Sequence, residues 1–121
     1  MEIAIVAHDG KKAEMVQFLQ EHKEVLLNKD IQLISTGTTG EKAIKAGFKV
    51  TRFLSGPIGG DAQIAARVAE GKTKMVIFFR DPLAKHPHEP DISMLMRLCD
   101  VHDVPLATNP ASAELFIKSL K

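Results

Sequence analysis

Five short, nearly continuous apolar runs alternate along this chain with five stretches of helical periodicity, and that alternation constrains the fold more than any other feature. The runs are Ile3 to Ala7, Ile31 to Ser35, Lys49 to Leu54, Met75 to Phe79 and Val104 to Ala107. A strand that is apolar at successive positions, rather than at every second one, has to be covered on both faces. Helical spacing fills the gaps. A stretch from about Lys11 to Leu27 brings Met15, Phe18, Leu19 and Leu26 near one face, and a short helix around Glu41 to Ala46 ends at Gly47. Ile64 and Val68 pair in the next helix, which stops at Gly71; Ile92, Leu95, Met96 and Cys99 repeat the spacing, as do Ala113, Phe116, Ile117 and Leu120. The predicted fold class is therefore α/β: a three-layer sandwich with a central, mainly parallel five-stranded sheet.

A length of 121 residues suits one domain spanning 1–121, large enough to bury a core without disulfides or metals. Trp and Tyr are absent, so Phe, Ile, Val, Leu and Met fill that core. Sixteen basic and fifteen acidic residues leave a formal charge of +1, with no basic stripe and few aromatic residues, which argues against a nucleic-acid partner. No run approaches the roughly twenty apolar residues of a bilayer span, and the short apolar start lacks the basic leader of a signal peptide. Neither a membrane nor a secretory route is expected, and a cytoplasmic location is. The single Cys99 falls on an amphipathic helix and reads as a buried thiol, not a nucleophile.

In a parallel sheet, ligands bind outside the carboxyl ends of the strands. The loops expected there are His8-Asp9-Gly10, Ser35 to Gly40, Ser55 to Asp61, Arg80-Asp81-Pro82 with His86 to Asp91, and Ala107 to Pro110. They hold almost all the unusual chemistry. The loops of the other rim are charged and read as merely solvated.

Thr36-Gly37-Thr38-Thr39-Gly40 lies between a strand and a helix. Glycines let an anion approach the backbone, helix N-terminal amides point at it, and three hydroxyls can donate to its oxygens, so phosphate is the natural guest. The alternative is a tight turn with a threonine N-cap, which needs only one Thr and one Gly. Neither a P-loop nor a dinucleotide fingerprint is present. Ser55-Gly56-Pro57-Ile58-Gly59-Gly60-Asp61 ends in a carboxylate that reads either as a helix cap or as a general base held at the rim. Asp9, Asp81 and Asp91 join it there. Acids crowded beside a phosphate must be protonated, paired with Lys12, His8 or His88, or hold a divalent metal; no D-x-D or H-x-x-x-H spacing backs the metal. In the proline-stiffened loop, His86 reads as surface, while Asp91 can orient the His88 ring. Lys12, one helical turn beyond His8, offers a point charge to a phosphate.

Taken together, A-H-D-x-x-K, T-G-T-T-G, S-G-P-x-G-G-D, F-F-x-D-P-L, P-H-x-P-D and A-T-N-x-A-S-A, in this order over essentially the whole chain, resemble the methylglyoxal synthase family. The resemblance implies a Rossmann-like α/β fold, usually assembled as a homohexamer. It also implies a lyase that converts dihydroxyacetone phosphate to methylglyoxal and inorganic phosphate without a cofactor or metal. Carried over by position, Asp61 is the base. His8, Lys12, Thr36, Gly37, Thr38, Thr39, Ser55 and Gly56 bind substrate, mostly its phosphate, and inorganic phosphate is expected to inhibit. His88 contacts the carbonyl and hydroxyl oxygens, with Asp91 behind it. Asp9 and Asp81 match supporting acids. Longer family members continue past the last helix; a contact from such a tail would here come from Arg97 or a neighbouring subunit. The same fold also resembles the regulatory domain of the carbamoyl phosphate synthetase large subunit. That module binds phosphorylated effectors and has no need of Asp61, His88 and Asp91 together. A metal-dependent phosphatase on the same sheet is a third reading.

Overall fold

A computed structural model describes residues 1–83 and 92–121 of the chain. It runs β1 (Glu2–Ala7), α1 (Lys12–Glu21), α2 (Lys23–Leu26), β2 (Gln32–Ser35), α3 (Gly37–Lys45), β3 (Val50–Arg52), α4 (Gly60–Ala69), β4 (Thr73–Phe79), α5 (Ile92–Val101), β5 (Leu106–Ala107) and α6 (Pro110–Lys118). Short 3-10 turns precede α1 (Asp9–Lys11) and α4 (Gly56–Ile58). The strands form one sheet in the order β3-β2-β1-β4-β5, and every pairing is parallel.

Alternation along β1 divides the core in two. Ile3, Ile5 and Ala7 face α1, α2, α3 and α6 through Met15, Phe18, Leu19, Leu26, Ala43, Ala113 and Ile117. Ala4 and Val6 face α4 and α5 through Ile64, Ala65, Val68, Leu95 and Cys99. Both sides of the central strands are dry, which is why the strands read as unbroken apolar runs. The chain moves from β1 outward to β3, returns to β4 beside β1, and then moves outward to β5. Crossovers of one hand then place α1 and α3 on one face and α4 and α5 on the other, and α6 returns to the first. The reversal leaves a switch point between β1 and β4.

The predicted order of elements holds, with local departures. The first helical stretch is two helices, since His22 at φ −117° and ψ 24° leaves helical geometry while its ring tilts onto Phe18 at 4.6 Å. The third helix starts at Gly37 instead of Glu41, so the threonine-rich segment is a helical first turn and not a loop. β3 shrinks to three residues and β5 to two, as suits edge strands with a ladder on one side only. No described helix is long and apolar enough to cross a membrane.

At the amino ends of the strands, Glu2 ties the sheet to α4. Its carboxylate accepts from Arg67 Nε at 2.9 Å and from a second guanidinium nitrogen at 2.5 Å, and from Thr73 Oγ1 at 2.6 Å. Arg67 also lies 5.8 Å from the Phe53 ring centre. The Arg67 hydrogen bonds, outweighing burial and helped by Thr73, hold the Glu2 carboxyl below its ordinary value of 4.5. A lowered folded pKa contributes stability above the ordinary value, and that contribution is lost as pH falls through the folded value. Replacing Glu2→Gln should therefore lower the unfolding free energy by about 1–3 kcal/mol at pH 7, the scale of charged hydrogen bonds in a half-buried setting. The gap to the parent should narrow at pH 3. Urea unfolding at both pH values measures it, and a gap equally wide at pH 3 would contradict the assignment.

Candidate active site

The β1–β4 switch point is held by one histidine. The His8 backbone N–H donates to Phe79 O at 3.1 Å, continuing the ladder, and the His8 Nδ1 accepts from the Asp81 backbone N–H at 2.8 Å. An accepting Nδ1 leaves the ring proton on Nε2, which can donate to a ligand. The ring is buried, edge-on to Phe78 at 5.2 Å. Asp81 itself closes the loop: its Oδ1 accepts from the Leu83 N–H at 3.1 Å. The backbone of Asp81 thus orients His8 and its carboxylate orders the turn. Beside them, Lys12 opens α1 with its side chain only 14% exposed, and its Nζ meets Asp9 Oδ1 at 2.5 Å. The pairing that sequence chemistry demands of an acid near a phosphate is present for Asp9. Lys11 turns instead to Glu14, at 3.3 Å.

Next to β1, the carboxyl end of β2 feeds straight into α3. Register pairs Ile5 with Ser35 and Ser35 with Arg52, so Thr36 sits one step beyond this level. Thr36 is the N-cap residue by backbone, extended at φ −70° and ψ 163°, yet its hydroxyl makes no capping hydrogen bond. Thr38 is exposed. Thr39 is 2% exposed, and its Oγ1 is buried without a hydrogen-bond partner among the described residues. The amides of Thr38 and Thr39 lie in the first turn, where helix geometry supplies no acceptor. The Gly37 N–H, by contrast, donates to Leu54 O at 3.1 Å, and its carbonyl accepts from Arg52 Nε at 3.1 Å. A Cβ at Gly37 would lie 2.9 Å from Ser55 Oγ. Gly37 therefore joins the threonine turn to the serine loop, and the Thr38 and Thr39 amides are first-turn donors without an acceptor in the helix.

The serine loop carries Asp61 to the same rim. Ser55 is extended, and its carbonyl accepts from the Ile58 N–H at 3.1 Å and the Gly60 N–H at 3.0 Å, closing the turn over Gly56. Gly60 fits because it has no side chain: a Cβ there would stand 1.8 Å from Leu54 O. Gly59 occupies the N-cap, so Asp61 is the second residue of α4 and not its cap. Its Oδ1 accepts from the Ala62 N–H at 3.0 Å. The N-cap role that competes with a general base is thereby removed.

His8, Asp9, Lys12, Thr36 to Thr39, Ser55, Gly56, Asp61 and Asp81 thus all belong to the carboxyl rim. His88 and Asp91 lie outside the described residues. Arg97 is exposed on α5. Cys99 is buried on the same helix; burial, reinforced by Asp100, pushes its thiol up to about 11, which removes it as a nucleophile at neutral pH. Among the described residues, no group of three or more His, Cys, Asp or Glu is placed to hold a metal ion. Concavities of about 540 and 530 Å³ open on the opposite rim, around Asn28 and Ile31; Glu24, Asp30 and Lys121 line the first and Lys29 and Lys49 the second. Sequence reasoning missed Arg52, Leu54 and Gln63, whose side chains or backbone brace the two loops. Only the position of Gln63, two residues past Asp61, hinted at it.

Comparison with known proteins agrees with this geometry. The MGS-like domain family matches residues 14–108. A methylglyoxal synthase of Lysinibacillus sphaericus is 57% identical over 122 aligned residues, covering 100% of this chain and 90% of the relative. One from Carboxydothermus hydrogenoformans is 54% identical, covering 99% and 98%. The crystal structure of methylglyoxal synthase from Elizabethkingia anophelis superposes with a TM-score of 0.91 at 40% identity, over 96% of this chain and 76% of that one. With the five-stranded parallel sheet and the loops of its carboxyl rim, the chain belongs to the methylglyoxal synthase family.

Proposed function

We propose that this chain eliminates phosphate from dihydroxyacetone phosphate to give methylglyoxal and inorganic phosphate. The observation that carries the reading, beside the family itself, is the Thr39 hydroxyl, buried and unpartnered in the first turn of α3. An orphaned donor there has a use once a phosphate oxygen arrives.

Asp61 removes a proton from the hydroxymethyl carbon beside the substrate carbonyl, leaving an enediolate. The electron pair on the terminal oxygen then forms the aldehyde, the carbon–carbon double bond shifts toward the phosphate-bearing carbon, and the C–O bond breaks. The enol released takes up a proton to become methylglyoxal. Thr36, Thr38 and Thr39, with the first-turn amides, Ser55 and Gly56, hold the leaving phosphate, and Gly37 fixes their turn. Lys12 and the His8 Nε2–H add positive character beside it. His88, as neutral imidazole, stabilises the enediolate and moves protons between its oxygens, with Asp91 setting its tautomer. Asp9 tempers Lys12, and Asp81 orients His8. Arg97, exposed on α5, is a supporting cation. No cofactor or metal enters this scheme.

The whole chain, 1–121, acts as one such unit in the cytoplasm, assembled as a homohexamer. Exposed Leu115 on α6 and Val101 and Met96 on α5, at 67%, 67% and 40%, support an assembling surface. Sedimentation velocity measures the assembly directly.

Incubation with dihydroxyacetone phosphate and excess chelator, following both products, tests the reaction. Equal phosphate and methylglyoxal are expected. Phosphate alone would mean a phosphatase, and neither product, with thermal protection by the ligand, a binding module. Asp61→Asn should lower kcat by about 10²–10⁴-fold while KM stays within a few-fold, since the base acts in the transition state. An Asp61→Asn protein that stays folded and turns over near the parent rate would reject the base.

Inorganic phosphate should compete with substrate at the same turn. Thr39→Val should raise both KM and the inhibition constant for phosphate by about 10–100-fold, the scale of one hydrogen bond to a charged oxygen. Its Tm should be unchanged or higher, because the hydroxyl it removes has no partner among the described residues. A phosphate constant equal to the parent's would remove Thr39 from the site.

A further inference from the structure

We infer that Gln63 is a positioning residue that decides whether the enediolate expels phosphate or returns to substrate, an assignment that rests on the elimination proposed above. Gln63 lies on α4 two residues past Asp61, and its Oε1 accepts from the Leu54 backbone N–H at 2.8 Å. The carbonyl of the same Leu54 accepts the Gly37 N–H at 3.1 Å. One residue of the serine loop therefore bridges the helix that carries the base to the helix turn that carries the phosphate. The bridge is tight, since Leu54 O leaves no room for a Cβ at Gly60. Arg52 grips the far side of the Gly37 residue through its carbonyl, at 3.1 Å.

What such a bridge controls follows from the chemistry. Proton removal needs only Asp61 beside the hydroxymethyl carbon. Expulsion also needs the bridging C–O bond to stand out of the enediolate plane, so that its antibonding orbital overlaps the π system. That torsion is set by where α3 holds the phosphate relative to where α4 holds the reacting carbon. The Gln63–Leu54–Gly37 hydrogen bonds link the two through a single residue. Without the Gln63 acceptor, the Phe53–Leu54 peptide is free to turn, and through the Leu54 Cα the next carbonyl, which holds the Gly37 N–H, shifts with it. The enediolate then forms as before but meets a poorly aligned leaving group, and reprotonation competes.

The ratio of two rates in deuterium oxide reads this partition. Deuterium at the hydroxymethyl carbon of recovered dihydroxyacetone phosphate reports enediolates that returned, and released phosphate reports those that eliminated. Gln63→Met, which keeps length and removes the acceptor, should raise the ratio of exchange to elimination by about fivefold or more, the scale of one neutral hydrogen bond. Gln63→Glu, which keeps an acceptor oxygen at the same place, should bring the ratio back toward the parent value. A merely structural role would lower both rates together and leave the ratio unmoved, and that result, in a Gln63→Met protein that melts cooperatively, overturns the assignment alone. A parent protein that releases no phosphate at all overturns the reading of the site and this assignment with it.

Discussion

The parallel ladder is the constraint on which the rest of this molecule depends. Five strands running one way bring five carboxyl ends to one rim, and every helix that follows a strand starts there. The amino ends of α1, α3, α4 and α6 consequently face the same side of the sheet as the ends of β1 to β3 and β5. Each helix end contributes partial positive charge and unspent amides. A chain with a formal charge of only +1 thus gathers a local preference for anions without a basic patch. The field comes from backbone direction more than from side-chain count.

Covering both faces of the sheet has a cost in polar groups, and the two rims meet it differently. At the amino rim, Glu2 is fully engaged by Arg67 and Thr73, a closed network that locks β1, β4 and α4 together. At the carboxyl rim the polar groups are placed but not exhausted. The Thr36 hydroxyl caps nothing, and the Thr39 hydroxyl bonds to nothing. Rigid closure at one end permits open valence at the other, because α4, the helix tied down by Arg67, is the same helix that presents Asp61.

Much of this was legible in the sequence. Continuous apolar strands such as Ile3 to Ala7 announced a sheet covered on two faces, and the two cores divide its alternate residues as that requires. The gathering of His8, Thr36 to Thr39, Ser55 and Asp61 followed from placing loops at strand ends. What pattern did not reveal are contacts made by backbone or by unremarkable side chains. Nothing in the letters Arg52, Leu54 and Gln63 signals that they meet around Gly37; the meeting depends on a register between β2 and β3 and a turn after it. The helical start at Gly37 was missed for a local reason: glycine and threonine are poor helix formers, and tertiary hydrogen bonds from Leu54 and Arg52 override that propensity. Likewise, a helix cap is one of two readings of Asp61, because carboxylates favour that place. Gly59 takes it instead, as the backbone there turns at φ 114°, where an aspartate would be strained.

The buried hydroxyls of the sheet make the functional argument sharper than any motif. Ser35 is wholly buried and donates to Ile5 O at 2.6 Å; Thr73 is wholly buried and donates to Glu2. Both are satisfied by the fold. Thr39, four residues beyond Ser35 and nearly as buried, is not. An unpaired buried hydroxyl costs about 1–3 kcal/mol, and valine fills the same volume without that cost. Packing alone would therefore favour valine there. Under the function proposed above, the missing partner is a ligand oxygen, and a small deficit in the free protein becomes affinity in the complex. A buried hydroxyl left unsatisfied in the first turn of α3 is what the phosphate site proposed above would use.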